Sequence, residues 1–177
     1  MPDSKLRLKK SGNFMPKTPA PPPGAMEYAM KLLSKRSYAE SEVRMKLRKK
    51  NYSPEEIEHA VTECVRYSFI NDRLYALDYA NLLNSRGCGS LMIRRKLALL
   101  RIADEFIDEA LQMVAESELH AAANALDFKL RMLKNEKNPF KKKQKAVAFM
   151  LSRGYSFDTI KTVMDNVNIQ IGGNFDE

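Results

Sequence analysis

The sequence predicts an all-α protein of three tandem three-helix repeats, stacked into an elongated, curved array. Three observations carry this expectation. Between residues 25 and 171 the only glycines are Gly87, Gly89 and Gly154. Ala, Leu, Met, Lys, Arg and Glu dominate the same stretch, and this composition favours helix. The third observation is internal self-similarity. Val43, Leu47, Tyr52, Ile57, Ala60 and Val61 become Ile93, Leu97, Ile102, Ile107, Ala110 and Leu111 on a shift of 50. On a shift of 103 they become Ala146, Met150, Tyr155, Ile160, Val163 and Met164. Every position stays apolar or aromatic, and the i, i+3 and i+4 spacings are those of helix faces.

Taken in order, the elements start with a tail. Residues 1–24 hold five basic residues against one acidic, together with Pro2, Pro16, Pro19, Pro21, Pro22 and Pro23. Such a stretch buries too little surface to offset its chain entropy, so a disordered basic tail is expected. It reads as an inert leader, or alternatively as an electrostatic arm. Repeat 1 spans 25–72, with helices over Tyr28–Lys35, Val43–Lys49 and Glu55–Tyr67. Ser37 with Glu40 fits a capping box, and Ser53-Pro54-Glu55-Glu56 is a clearer helix start. Repeat 2 spans 73–118, with helices over Leu74–Ser85, Ile93–Leu100 and Glu105–Ser117 and a break at Gly87 and Gly89. Repeat 3 spans 119–167, with helices over Leu119–Lys134, Lys143–Arg153 and Phe157–Val167. Asn138-Pro139 starts its second helix, and Gly154 suits a left-handed helix end. Residues 168–177 lose periodicity and read as a mobile C-terminal tail.

The formal net charge of +8 is unevenly spread: +4 in 1–24, +1 in 25–72, −1 in 73–118 and +4 in 119–177. The second helices are basic, through Arg44 and Arg48, then Arg94 and Arg95, then Lys141, Lys142 and Lys143. The third helices are acidic in their first turns, as helix dipoles alone would favour. The dipole does not explain Lys141–Lys143, which stand near a helix N-terminus. That cluster points to a phosphate backbone or an acidic protein surface.

Catalytic and metal constellations are missing from the sequence. His59 and His120 are isolated, and Cys64 and Cys88 make neither a disulfide framework nor a four-ligand zinc site. Cys64 shares a helical face with Val61 and reads as a core residue. No Gly-rich phosphate loop occurs and no cofactor is implied. No apolar run is long enough to span a membrane, and a reduced cytoplasmic setting is expected.

Phe69-Ile70-Asn71-Asp72-Arg73-Leu74-Tyr75-Ala76 resembles the signature that joins the first two repeats of the RecX regulatory protein family. Ser85-Arg86-Gly87-Cys88-Gly89 is similar to that family's turn before a basic helix, and Ser152-Arg153-Gly154-Tyr155 to its third-repeat signature. Departures are Ser90 for a frequent Pro, Leu74 and Met92 for frequent Arg, and Arg101 for frequent Gly. The resemblance implies a bacterial, cytoplasmic, non-enzymatic regulator of the RecA recombinase. Such proteins lie in the groove of the RecA–single-stranded-DNA filament. They restrain its growth, strand exchange, ATPase and co-protease activity, and so act on recombination, DNA repair and the SOS response. The partners implied are the RecA filament and the single-stranded DNA within it, with weak direct DNA contact and a monomeric regulator. Arg44, Arg48, Arg94, Arg95, Lys141, Lys142 and Lys143 are the candidate contacts. Asp72, Tyr75, Gly87, Gly89, Gly154 and Tyr155 are motif positions read as structural, with Asp72 capping the next helix and Tyr75 packing between repeats. The alternative is a helical nucleic-acid-binding protein without a filament partner.

Overall fold

The computed structural model describes residues 24–171, with side chains through Val167. The tail expected at 1–24 falls outside this span except for Gly24, as do residues 172–177. Among the described residues there are eight α-helices: α1 Ala25–Leu33, α2 Glu40–Arg48, α3 Pro54–Arg66, α4 Asp72–Ser85, α5 Ser90–Leu99, α6 Asp104–Met132, α7 Pro139–Ser152 and α8 Phe157–Ile171.

Eighteen positions define the sequence repeat, and all are buried except Tyr52, Leu111 and Met164, which are partly buried. They divide into three cores rather than one continuous seam. Val43, Leu47, Ile57, Ala60, Val61 and Cys64 belong to the first. Ile93, Leu97, Ile102, Ile107 and Ala110 belong to the second. Ala146, Met150, Tyr155, Ile160 and Val163 belong to the third. Each three-helix unit packs its own helices, Ala39 of the first unit reaches into the second core, and α6 runs through the second and third units.

The helix ends repeat as well. Asn51 (φ 62°), Arg101 (φ 59°) and Gly154 (φ 81°) are left-handed. They are related by the same shifts of 50 and 103. Each follows a second helix and precedes an apolar residue that folds back: the N–H of Ile102 donates to the Leu97 carbonyl, and that of Tyr155 to the Met150 carbonyl. This is the Schellman pattern.

Three expectations about boundaries are corrected. The predicted break between Ser117 and Leu119 does not exist, because α6 runs unbroken from Asp104 to Met132. No Gly or Pro interrupts that stretch. Ser68, at the equivalent point of repeat 1, is instead left-handed (φ 58°) and is followed by the N-cap Asn71. The Ser37–Glu40 capping box is also absent. α2 starts after Ala39, and the Glu42 carboxylate accepts from the Ala39 N–H at 3.2 Å. The Ser53–Glu56 box does form, with both bonds made at 2.8 and 3.2 Å. α8 extends to Ile171, four residues into the segment read as a mobile tail.

Candidate functional site

The joints between units set the arrangement of the second helices. The N-cap residues of α2 and α5 are Ala39 and Gly89, neither of which has a side-chain oxygen. Each helix receives its cap from a carboxylate at the boundary with the following unit. Asp72 Oδ1 accepts from the Glu40 N–H at 2.8 Å, and Glu118 Oε1 accepts from the Ser90 N–H at 2.8 Å. α7, in the last unit, has its own cap in Asn138, whose Oδ1 accepts from the Lys141 N–H at 3.0 Å. Asp72 therefore caps α2 rather than its own helix, where Asn71 does that work at 3.0 Å. Tyr75 completes the grip by donating its hydroxyl to Glu42 Oε2 at 3.2 Å. Burial, followed by the Glu42 charge, pushes its phenol up to about 12.

These caps bring the second helices end to end. Ser41 Oγ, at the start of α2, donates to the Leu100 carbonyl at the end of α5 at 2.5 Å. The N–H groups of Gly89 and Leu91, at the start of α5, donate to the Arg153 and Gly154 carbonyls after α7 at 2.9 and 3.1 Å. A side chain at Gly89 would place its Cβ 2.5 Å from the Gly154 oxygen, and one at Gly154 would stand 2.4 Å from the Met92 nitrogen. Both glycines are needed for this approach of two backbones. Gly87 (φ 73°) ends α4 in a left-handed turn, and Tyr155 is fully buried beneath.

The seven candidate cations fall into two groups on this row. Arg44 bonds Glu40 at 2.8 Å and Glu58 at 2.5 Å. Its guanidinium pKa is raised, chiefly by the Glu58 bond, and the Glu58 carboxyl is held below its usual range by the same contact. Arg94 pairs with Asp108. Both pairs span fourteen residues within one unit and sit at equivalent repeat positions. They tie each second helix to its third helix. In unit 3 the equivalents are Val147 and Lys161, which cannot pair.

Arg48 and Arg95 are exposed, and so are Lys141 and Lys143, with Lys142 partly so. None of these five makes an ion pair among the described residues. Arg44 and Arg48 share a cavity of about 480 Å³ at the α2–α5 joint with Arg101, Glu40 and Asp72. Lys141–Lys143 occupy the opposite end of the row. They stand on the free first turn of α7, some 20 Å from its joint with α5 at ~1.5 Å per residue. The next cation, Lys145, is neutralised by Glu136 at 2.5 Å. That bond holds the Glu136 carboxyl below its usual range.

The cross-unit caps of Asp72 and Glu118 and the close approach of Gly89 to Gly154 went unread in the sequence. One signal was present: Glu40 and Ser90 are related by the repeat shift, and both follow a residue with no capping oxygen. Among the described residues no group of three or more His, Cys, Asp or Glu side chains is placed to hold a metal. No helix there is long and apolar enough to cross a membrane.

Fold and site together define a class: an all-α tandem-repeat protein whose second helices form an end-to-end row with unpaired cations. The chain belongs to the RecX regulatory protein family. The family's first three-helix domain matches residues 25–64, and its third matches residues 116–164. The regulatory protein RecX of Haemophilus influenzae (strain 86-028NP) is 37% identical over 135 residues, 76% of this chain and 88% of its own. That of Haemophilus ducreyi is 36% identical over 141 residues, 80% and 91% of the two chains. That of Vibrio campbellii is 32% identical over 144 residues, 81% and 92%. The crystal structure of RecX from Lactobacillus salivarius has the same fold, with a TM-score of 0.72 at 22% identity, over 82% of this chain and 95% of that one.

Proposed function

We propose that this protein binds the RecA–single-stranded-DNA filament and restrains the recombinase, ATPase and co-protease activities of RecA. Family membership supports this reading, and the relatives are named regulatory proteins. The observation that carries it is the row of second helices. Three helices joined end to end carry Arg48, Arg95 and Lys141–Lys143, none of which has an ion-pair partner among the described residues. A polyanion with regular spacing is the natural counterpart of such a row. Arg44 and Arg94 serve the row indirectly, by holding α2 and α5 against their third helices. The action is by binding energy alone, in the compartment that holds RecA.

The test is ATP hydrolysis by RecA on single-stranded DNA with this protein titrated in. Hydrolysis is expected to fall as the protein is added, and an unchanged rate overturns the proposal. A parallel binding measurement separates it from plain nucleic-acid binding. RecA-coated DNA is expected to bind more tightly than the same naked strand, and the reverse order overturns the filament reading.

A further inference from the structure

A cavity between α4, α6 and α7 lies beside the α5–α7 joint of the row. Its volume is about 610 Å³, within the range of small-ligand sites. Asn84, Arg86, His120, Phe128, Phe149 and Arg153 are among its walls, and no described residue lining it is acidic.

One wall holds an unmet acceptor. Asn84 is only 7% exposed. Its Nδ2 donates to Ser117 Oγ at 2.7 Å, while Ser117 Oγ gives its own proton to the Val114 carbonyl at 3.0 Å. Ser117 can therefore only accept from Asn84, which fixes the amide orientation. Asn84 Oδ1 is left buried with no donor. The buried Tyr155 hydroxyl also lacks a partner, and a Cβ built on Gly87, another wall residue, would stand 3.9 Å from it. Unpaired buried polar groups are costly, so a ligand N–H that reaches Asn84 Oδ1 through a small shift of the amide would be repaid.

The opposite side is aromatic and cationic. Arg153 donates to the Arg86 carbonyl at 3.0 Å and lies 5.1 Å from the Phe149 ring centre. Lys129 Nζ lies 5.2 Å from the same ring centre. Phe128 is 57% exposed, leaving a ring for stacking. Lys141, Lys145, Phe149 and Arg153 fall on successive turns of α7, so the cavity lies about 12 Å along the helix from the lysine cluster.

We propose that this cavity seats one nucleotide of a single-stranded nucleic acid. The base stacks on Phe128 with its edge toward Asn84, and the phosphate lies by Arg86 and Arg153. Every natural base carries an N–H donor on its pairing edge, so recognition is of a base as such rather than of one base. The acceptor, the exposed ring and the cations together favour an unpaired nucleotide over an acidic peptide, which needs only the cations. This deepens the filament reading, but naked oligonucleotides test it, so either can fail without the other.

Fluorescence anisotropy at low ionic strength would compare the full chain on an ordinary single strand and on a fully abasic strand of equal length. The ordinary strand is expected to bind about five-fold more tightly or better. Phe128→Ala removes the ring, and Asn124→Asp adds a carboxylate at an exposed wall position; each is expected to abolish the difference. Circular dichroism confirms that both variants fold. Charge reversal of Lys141–Lys143 is expected to weaken both strands alike. Equal affinity for the two strands, no binding to either, or a preference that survives both variants overturns the proposal. Base-independent binding displaced by polyglutamate would identify an acidic-peptide site instead, and also overturns it.

Discussion

Asp72 shows how one carboxylate can hold two units together at a cost. Its Oδ1 accepts the Glu40 N–H at 2.8 Å, which α2 cannot cap for itself. Burial is the largest influence on this carboxyl and raises its pKa; the Glu40 N–H lowers it, and the Glu40 and Glu42 charges raise it again. A carboxyl whose pKa is higher folded than unfolded contributes stability below the unfolded value and loses it as pH rises through the folded value. Asp72→Asn keeps an acceptor for the Glu40 N–H without the charge. It is expected to match the native chain in acid and to exceed it in stability near neutrality. Urea denaturation across pH checks this, and an advantage that shrinks as pH rises would contradict it. Asp72→Ala removes the cap and should cost about 1 kcal/mol at neutral pH. Arg101 makes a second residue-level prediction. It holds φ 59° where the equivalent position of unit 3 is Gly154. Arg101→Gly relieves a left-handed side-chain conformation and is expected to stabilise by about 1 kcal/mol, read as a raised urea midpoint.

At the scale of elements, the joints are where backbones meet. Gly154→Ala combines a left-handed φ with a Cβ 2.4 Å from the Met92 nitrogen. It should cost more than the roughly 1–2 kcal/mol of left-handed strain alone, because α5 and the turn after α7 must also separate. Amide hydrogen exchange would show lost protection at Gly89 and Leu91 before the unit cores open. Simultaneous loss at Ile93 and Met150 would argue that joint and cores are a single cooperative unit. The elements were unevenly legible in the sequence. The apolar period gave the helices and the core, because burial within each unit follows local i, i+3 and i+4 spacing. The Ser53-Pro54 and Asn138-Pro139 starts were readable for the same local reason. The unbroken α6 was open to local reading, because 104–132 lacks Gly and Pro. The caps of Asp72 and Glu118 act over 32 and 28 residues, a relation no local pattern encodes. Likewise the basic second helices were visible as charge. That Arg44 and Arg94 are spent on Glu58 and Asp108 could have been read only by matching both pairs at the shared spacing of fourteen.

For the whole molecule, the last unit differs from the first two in a way that bears on binding. α2 and α5 each have their N-terminus capped from a later helix, whereas α7 is capped by its own Asn138, has no such dock among the described residues and starts a turn earlier. Its free turn carries Lys141, Lys142 and Lys143, on the end of the helix where the dipole disfavours cations. Under the proposed function, the filament repays the cost to the helix of charges kept there. Replacing all three by Glu is therefore expected to move stability and binding in opposite directions. Each acid in the first turn is worth about 0.3–1 kcal/mol to the helix, so the variant should melt at or above the native temperature. Affinity for RecA-coated single-stranded DNA should fall. If each lysine meets one phosphate, the salt dependence of binding should flatten by about 0.7 per contact, or about 2 in all. Arg44→Gln is the control, because it removes an equal kind of charge from a residue already paired with Glu40 and Glu58. It is expected to lower stability while leaving the salt slope unchanged. A triple variant that keeps the native slope would place the lysines away from the polyanion, and one that melts early would mean they support the fold instead.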